Sequence, residues 1–202
     1  EIRLSLVGSE MCIRDRAYYN KKGRKEEACR LLEKAFELDQ TDSRIFMELD
    51  QLYKKMGRAH AERLTFLEAH LELVAQRDDL CIERITLYNQ LGNYEKAREL
   101  IAARKFHPWE GGEGKVTGQY ILCRVELAKK AIKEKRYLEA ISLLKETDHY
   151  PHNLGEGKLI NAEENEVDYY KGIAYQKLGN EAESIKYLMK ATQGSSEPQQ
   201  AF

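Results

Sequence analysis

The chain has 202 residues, of which 33% are charged, with 33 basic and 34 acidic side chains and a formal net charge of -1. So even a balance creates no long-range field toward nucleic acid, and no stretch approaches the ~18 apolar residues needed to cross a bilayer, so neither partner is expected. Four widely spaced cysteines, Cys12, Cys29, Cys81 and Cys123, form no metal-ligand pair and no redox motif, and read as reduced thiols of a cytoplasmic protein.

In chain order, the first sixteen residues fit the later pattern badly. "LVGSEMCIRDR", from Leu6 to Arg16, looks like one reading frame of a transposase adapter used in DNA library preparation, joined to coding sequence at about Ala17. The plainer alternative is a genuine helix with Ser9 as its cap and Met11 facing inward. The adapter reading sets residues 1–16 apart as non-native, starts the chain inside a first helix, and hides the true N-terminus and any signal peptide.

From Ala17 onward a tyrosine and a glycine four residues later recur as Tyr19 and Gly23, Tyr53 and Gly57, Tyr88 and Gly92, and, after a break, Tyr175 and Gly179. Self-similarity at this period marks stacked helical hairpins, because no single unit can bury its own apolar face. In "FMELDQLYKKMG", Phe46, Leu49, Leu52, Tyr53 and Met56 make one helix face that stops at Gly57. "HAERLTFLEAHLELV" reads as one second helix with Leu64, Leu67, Leu71 and Val74 on its face. "LCIERITLYNQLGNYEKARELIAA" repeats the plan through Tyr88, Gly92, Ala97 and Leu100, and the last unit does so through Gly172, Ala174, Tyr175, Gly179, Leu188 and Ala191. The fourth unit has the helices, but Lys135 stands where the turn glycine is expected. It needs a different turn or a left-handed backbone costing roughly 1 kcal/mol.

These residues resemble the tetratricopeptide repeat (TPR) pattern of a small residue at the helix crossing, a tyrosine, a turn glycine, then alanine and a bulky apolar residue. The resemblance implies an all-α, TPR-like helical-hairpin solenoid over residues 17–192, with about five helix pairs, the first incomplete. Residues 193–202 read as a polar tail.

Two glycine-rich stretches interrupt the array, "KFHPWEGGEGKVTGQY" at Lys105 to Tyr120 and "DHYPHNLGEGKLINAEEN" at Asp148 to Asn165. Both carry Gly-Glu-Gly-Lys, and both fall between the second helix of one unit and the first of the next, so both are expected on one edge. Connections in helical arrays take ~2 to 8 residues, and longer ones are more often functional. The pair is expected to meet and form a composite surface. In the first loop its residues are His107, Trp109, Glu110, Gly112, Glu113, Gly114 and Lys115. In the second they are Tyr150, Asn153, Gly155, Glu156, Gly157 and Lys158. The glycines permit close backbone approach and free amide donors, the lysines add charge, and Trp109, Phe106 and Tyr150 offer flat apolar faces. Aromatic faces bordered by carboxylates and amides suit a sugar, while amides with lysine suit a phosphate or carboxylate. GEGK lacks the spacing, the hydroxyl and the preceding strand of a P-loop. The bland alternative is that the glycines turn the chain, Trp109 fills a gap and the glutamates cap helices. His107, His149 and His152 lack metal-ligand spacing, and no metal or cofactor is expected. Glu110, Glu113 and Glu156 could include an acid/base pair for glycoside hydrolysis, but spacing alone assigns no catalytic residue.

"ARKFHPWEGGEGKVTGQY" with "YPHNLGEGKL" and "DYYKGIAYQKLG" resembles the C-terminal TPR region of large bacterial proteins with an uncharacterised N-terminal region. That region contains a β-sandwich resembling aldose epimerases and carbohydrate-binding domains. The match covers roughly Arg44 to Leu188, and it implies a carbohydrate-linked role for a longer protein.

The first helices should also line a concave groove. Arg44, Gln51, Lys54 and Lys55 would be followed by Thr86, Asn89 and Gln90, then Lys129 and Lys133, then Tyr169, Gln176 and Lys177. A polar, mildly basic groove suits an acidic peptide or a peptide carboxylate, although its lysine and amide positions do not recur as a dedicated carboxylate clamp requires. The reading carried forward is a non-catalytic interaction scaffold whose loops dock a protein or the missing N-terminal domain, or complete a carbohydrate site. Loop carboxylates serving glycoside processing, and peptide capture in the groove, are the alternatives.

Overall fold

In a computed structural model the described residues are 25–158 and 164–193. The adapter-like segment, Tyr19 and Gly23 of the first repeat, and the tail from 194 onward lie outside them. Among the described residues there are ten α-helices, two short 3-10 turns and no strand, the all-α architecture of TPR-like hairpins. The chain divides into two compact units, residues 1–91 and 92–202.

The first unit contains α1 (Lys25–Leu38), α2 (Ser43–Lys55), α3 (His60–Glu68), α4 (Leu71–Ala75) and α5 (Asp78–Gln90). Helix α2 shows how local chemistry sets the element. The Asp42 carboxylate accepts from the Arg44 and Ile45 amides at 2.8 and 3.2 Å, satisfying donors that an N-terminus leaves open. Ile45, Phe46, Leu49, Leu52 and Tyr53 then form the buried face. The helix ends where Gly57 turns left-handed at φ 75° and the Arg58 amide returns to the Tyr53 carbonyl at 3.0 Å, a Schellman closure. Phe46 anchors the core, its ring centroid 5.3 Å from Phe36, 4.6 Å from Phe66 and 5.1 Å from His70.

One expectation fails here. The single second helix read from "HAERLTFLEAHLELV" is broken, because His70 leaves helical geometry at φ -136°, ψ 51° between α3 and α4. Its ring stays in the aromatic cluster, with Nδ1 3.1 Å from the Phe66 carbonyl. The break re-aims the chain so that Leu73 and Val74 are buried, while Leu71, placed on the apolar face from sequence, is 41% exposed.

The second unit contains α6 (Tyr94–Ala103), α7 (Lys115–Lys133), α8 (Tyr137–Lys145), α9 (Asn165–Lys177) and α10 (Glu181–Thr192), with 3-10 turns at Glu146–Asp148 and His152–Leu154. Helix α7 packs against α6 and α8, and α9 against α8 and α10. The core between them is built from Val125, Ala128, Ala131, Ala140, Ile141, Leu144, Val167 and Ala174. Gly172 is small for the reason expected of a crossing residue: a Cβ there would lie 2.7 Å from Leu188 Cγ. The fourth repeat keeps its turn without glycine. Lys135 adopts φ 63°, and the Arg136 amide reaches the Ala131 carbonyl at 2.8 Å, the same closure that Asn180 makes to Tyr175 at 3.0 Å. Of the two options open from sequence, the left-handed backbone is used.

Candidate functional site

The first glycine-rich stretch is shorter as a loop than the sequence indicated. Helix α7 begins at Lys115, so Lys115 to Tyr120 form its first turns and only residues 104–114 connect α6 to α7. Within this connection the Phe106 ring, counted from sequence among exposed flat faces, is 1% exposed. Its backbone amide donates to the Asn153 carbonyl of the second loop at 2.7 Å. The two loops therefore meet through main chain.

Asn153 does more. Its side-chain Nδ2 donates to the Ile101 carbonyl at 2.8 Å and the Arg104 carbonyl at 2.9 Å, acceptors left open where α6 ends. Leu154 is buried beside it, and Gly155 follows in the left-handed region at φ 74°. A Cβ on Gly155 would stand 2.6 Å from the Phe106 carbonyl oxygen, so glycine is needed for both conformation and approach. Glu156 then reaches the other end of the first loop. Its Oε2 accepts from the Gly114 amide at 2.9 Å and from the Thr117 hydroxyl at 3.4 Å, at the N-terminus of α7. Gly114 precedes the helix and has no side chain to cap it; Glu156 supplies the carboxylate from 42 residues away.

The two GEGK copies are consequently not equivalent. In the first, Glu113 and Lys115 are exposed. In the second, Glu156 and Lys158 turn inward. Lys158 donates to the Thr147 and Asp148 carbonyls at 3.2 and 3.4 Å and pairs with Glu164 at the start of α9. Its ammonium lies 5.8 Å from the centre of the Tyr150 ring, which meets Tyr120 edge to face. Burial pushes the Tyr150 phenol up, and the charges of Glu164 and Glu156 add to the effect.

Trp109 sits half-buried at the middle of the first loop, and its indole covers Gly112 so closely that any Cβ there would clash. His107, Glu110, Glu113, Lys115 and Gly157 remain exposed, as do His149 and His152. Among the described residues no group of three His, Cys, Asp or Glu side chains is placed to hold a metal ion. Of the carboxylates weighed for glycoside chemistry, Glu156 is committed to capping α7 and Glu110 and Glu113 stand exposed.

The groove residues were expected to be polar and mildly basic. In the first unit Arg44, Gln51, Lys55 and Gln90 are exposed, but Lys54 donates to Glu83 at 2.9 Å, and Arg44 pairs with Glu48 at 3.4 Å. Asn89, placed in the groove from sequence, is 3% exposed, and the Thr86 hydroxyl turns back to the Ile82 carbonyl at 2.8 Å. In the second unit Lys129 is held by Glu126 and Glu166 at 2.6 and 2.7 Å, with its ammonium 4.9 Å from the Tyr170 ring centre. Lys133, Gln176 and Lys177 are exposed and Tyr169 is 47% exposed. Two of the lysines counted as basic groove positions, Lys54 and Lys129, thus already have carboxylate partners, which corrects the expected charge at those places.

Sequence reasoning missed the centre of the first unit's electrostatics. Arg63, on α3, is 2% exposed and makes two bonds to Asp50, at 3.0 and 2.7 Å; Asp50 is 1% exposed. Arg63 also donates to Glu83 at 2.7 Å. Burial pushes the Glu83 carboxyl up, but Arg63 and Lys54 outweigh it and hold the group below the usual carboxylate range. An arginine beside Leu64 on an amphipathic helix reads as solvated, and nothing in spacing distinguishes it. The repeated tyrosines carry a related signal that could have been found. Tyr53 donates to Glu33 at 2.9 Å and Tyr88 to Glu68 at 2.7 Å, each glutamate lying 20 residues before its tyrosine.

Comparison with known proteins bears on the fold, and the tetratricopeptide repeat model matches residues 17–42 and 169–193. Among solved structures, MamA AMB-1 is 20% identical over 94% of this chain and 99% of that chain, with a TM-score of 0.56. A crystal structure of MamA protein is 14% identical over 91% and 90% of the two chains, with a TM-score of 0.57. A MamA fragment from Desulfovibrio magneticus RS-1 is 11% identical over 92% and 93%, with a TM-score of 0.58. At these identities the likeness concerns the fold: an all-α architecture of TPR-like helical hairpins.

Proposed function

We propose that this chain is a non-catalytic TPR interaction module whose docking surface is the loop at 104–114, held in shape by the second loop. The observation that supports this most is the division of labour between the two GEGK copies. The second copy spends Glu156 and Lys158 on the protein itself, while the first leaves Glu113 and Lys115 facing outward beside a half-buried Trp109. A loop with fixed ends, an aromatic side chain and exposed polar groups binds at low ordering cost, because its shape is set before the partner arrives. The partner in this reading is a protein domain, or a further domain of a longer bacterial, carbohydrate-associated chain, with a sugar able to complete the same surface. The groove is a weaker candidate, because the Lys54 and Lys129 charges are already matched by carboxylates.

Trp109 is the only tryptophan and so reports directly on the loop. Titrating the protein with mono- and oligosaccharides and with acidic peptides, while following Trp109 fluorescence, tests the reading. A saturable response to a saccharide that is lost in Glu110→Ala or Glu113→Ala, and kept when Lys54 and Lys55 are reversed in charge, is the expected result. A response to acidic peptides that disappears on reversing Lys54 and Lys55 would move the binding surface to the groove. Silence toward every saccharide would remove the sugar and leave protein docking.

A further inference from the structure

We propose that residues 153–158 act as a strap that makes the two loops one cooperative element, so that the Trp109 surface exists only while the strap is seated. The strap touches both ends of the first loop at once. Asn153 closes the C-terminal carbonyls of α6, and three residues later Glu156 closes the N-terminal amide of α7. Between these two contacts Phe106 donates to Asn153 and Gly155 sits against the Phe106 carbonyl. The far end of the strap, Lys158, is anchored to Thr147, Asp148 and Glu164. One segment thus joins the last turn of α6, the first turn of α7 and the start of α9.

The coupling follows from where unpaired backbone groups would go. If the strap lifts, the Ile101 and Arg104 carbonyls lose Asn153, the Gly114 amide loses Glu156 and the Phe106 amide loses its acceptor. The first loop then loses these hydrogen bonds at both of its ends, and its internal turn, in which Gly112 donates to Trp109 and Lys115 to Gly112 at 3.0 Å each, frays with it. The relation runs both ways. Whatever grips the Trp109 loop stabilises the seated strap, and whatever grips the strap presets the Trp109 loop. This coupling is independent of what the loop binds, so it stands or falls apart from the docking proposal.

The test uses the whole chain and no ligand. Asn153→Ala combined with Glu156→Ala should raise acrylamide quenching of Trp109 about 2-fold or more, and should speed amide exchange at Gly112 and Lys115 about 10-fold or more, with exchange in α2 unchanged. In the reverse direction Gly112→Val, which displaces the indole, should speed exchange at Leu154 and Gly155. Glu156→Gln keeps an acceptor without charge and should give an intermediate change at Lys115; it decides the matter if the double variant loses helix throughout the second unit. Wild-type quenching and wild-type exchange at Gly112 and Lys115 in folded strap variants would overturn the proposal. So would a Gly112→Val protein whose Leu154 and Gly155 amides exchange as before.

Discussion

The ends of α2 in the first unit and the helix ends that flank the first long connection in the second are closed by different means. In the first, Asp42 caps α2 from the adjacent residue and the Gly57 turn returns the Arg58 amide to Tyr53, so each end is satisfied within a few residues. In the second, α6 and α7 are closed by Asn153 and Glu156, more than 40 residues away. Lengthening a connection costs little closure entropy, since each doubling adds only ~0.6 kcal/mol. What it removes is the local partner for the helix end, and that partner has to come from elsewhere. Buried charge does not follow that division, since the first unit holds Arg63 with Asp50 and Glu83 and the second holds Arg124 with Glu146 and Lys171 with Asp148.

The largest effect expected from this contrast is at Arg63. Arg63→Ala leaves the Asp50 carboxylate buried without its bidentate partner and should cost about 3–5 kcal/mol, read as a lower denaturation midpoint. Pairing it with Asp50→Leu should restore much of that loss, because an apolar side chain needs no counter-charge; an unrestored double variant would show that shape rather than charge dominates. Gly155→Ala comes next. Its Cβ meets the Phe106 carbonyl at 2.6 Å in a left-handed backbone, and about 2 kcal/mol should be lost, with the largest exchange changes in the second unit. Asp42→Ala removes a purely local cap and should cost about 1 kcal/mol, its exchange changes confined to the first turn of α2. Changes spreading from Asp42 into α5 would erase the distinction between local and remote closure. The smallest effect runs the other way: Lys135→Gly relieves a left-handed non-glycine residue and should stabilise by about 0.5 kcal/mol, the gain in backbone ease being partly offset by the greater freedom of the unfolded chain.

Much of the helical pattern was legible because it is carried by short-range periodicity. The faces through Phe46, Leu49 and Tyr53, the small Gly172 at its crossing and the turns at Gly57 and Gly179 all follow from three- and four-residue spacing and from glycine's conformational range. The break at His70 was not legible. "HAERLTFLEAHLELV" has an unbroken helical pattern, and the interruption depends on a ring packed among Phe36, Phe46 and Phe66 from three different segments. Arg63 was invisible for a similar reason, since its burial depends on Asp50 and Glu83 arriving from neighbouring helices. In the loops, Asn153, Gly155 and Glu156, which join the two connections, were among the residues read from sequence, but the division into inward and outward sets was not. Both GEGK copies offer the same side chains, and only the position of each copy relative to the ends of α6 and α7 separates Glu156, which caps, from Glu113, which faces solvent.

By itself the sequence determined the all-α hairpin fold, the turn positions, the two long connections and their shared composition, because periodicity and backbone preference act over a few residues. Tertiary structure alone decided that Phe106 is buried, that Lys54 and Lys129 are paired, and that Asn153 and Glu156 complete helices far away in the chain. Those outcomes depend on which polar group finds which partner when water is excluded, and that choice is made by residues distant in sequence and adjacent only once the chain has folded.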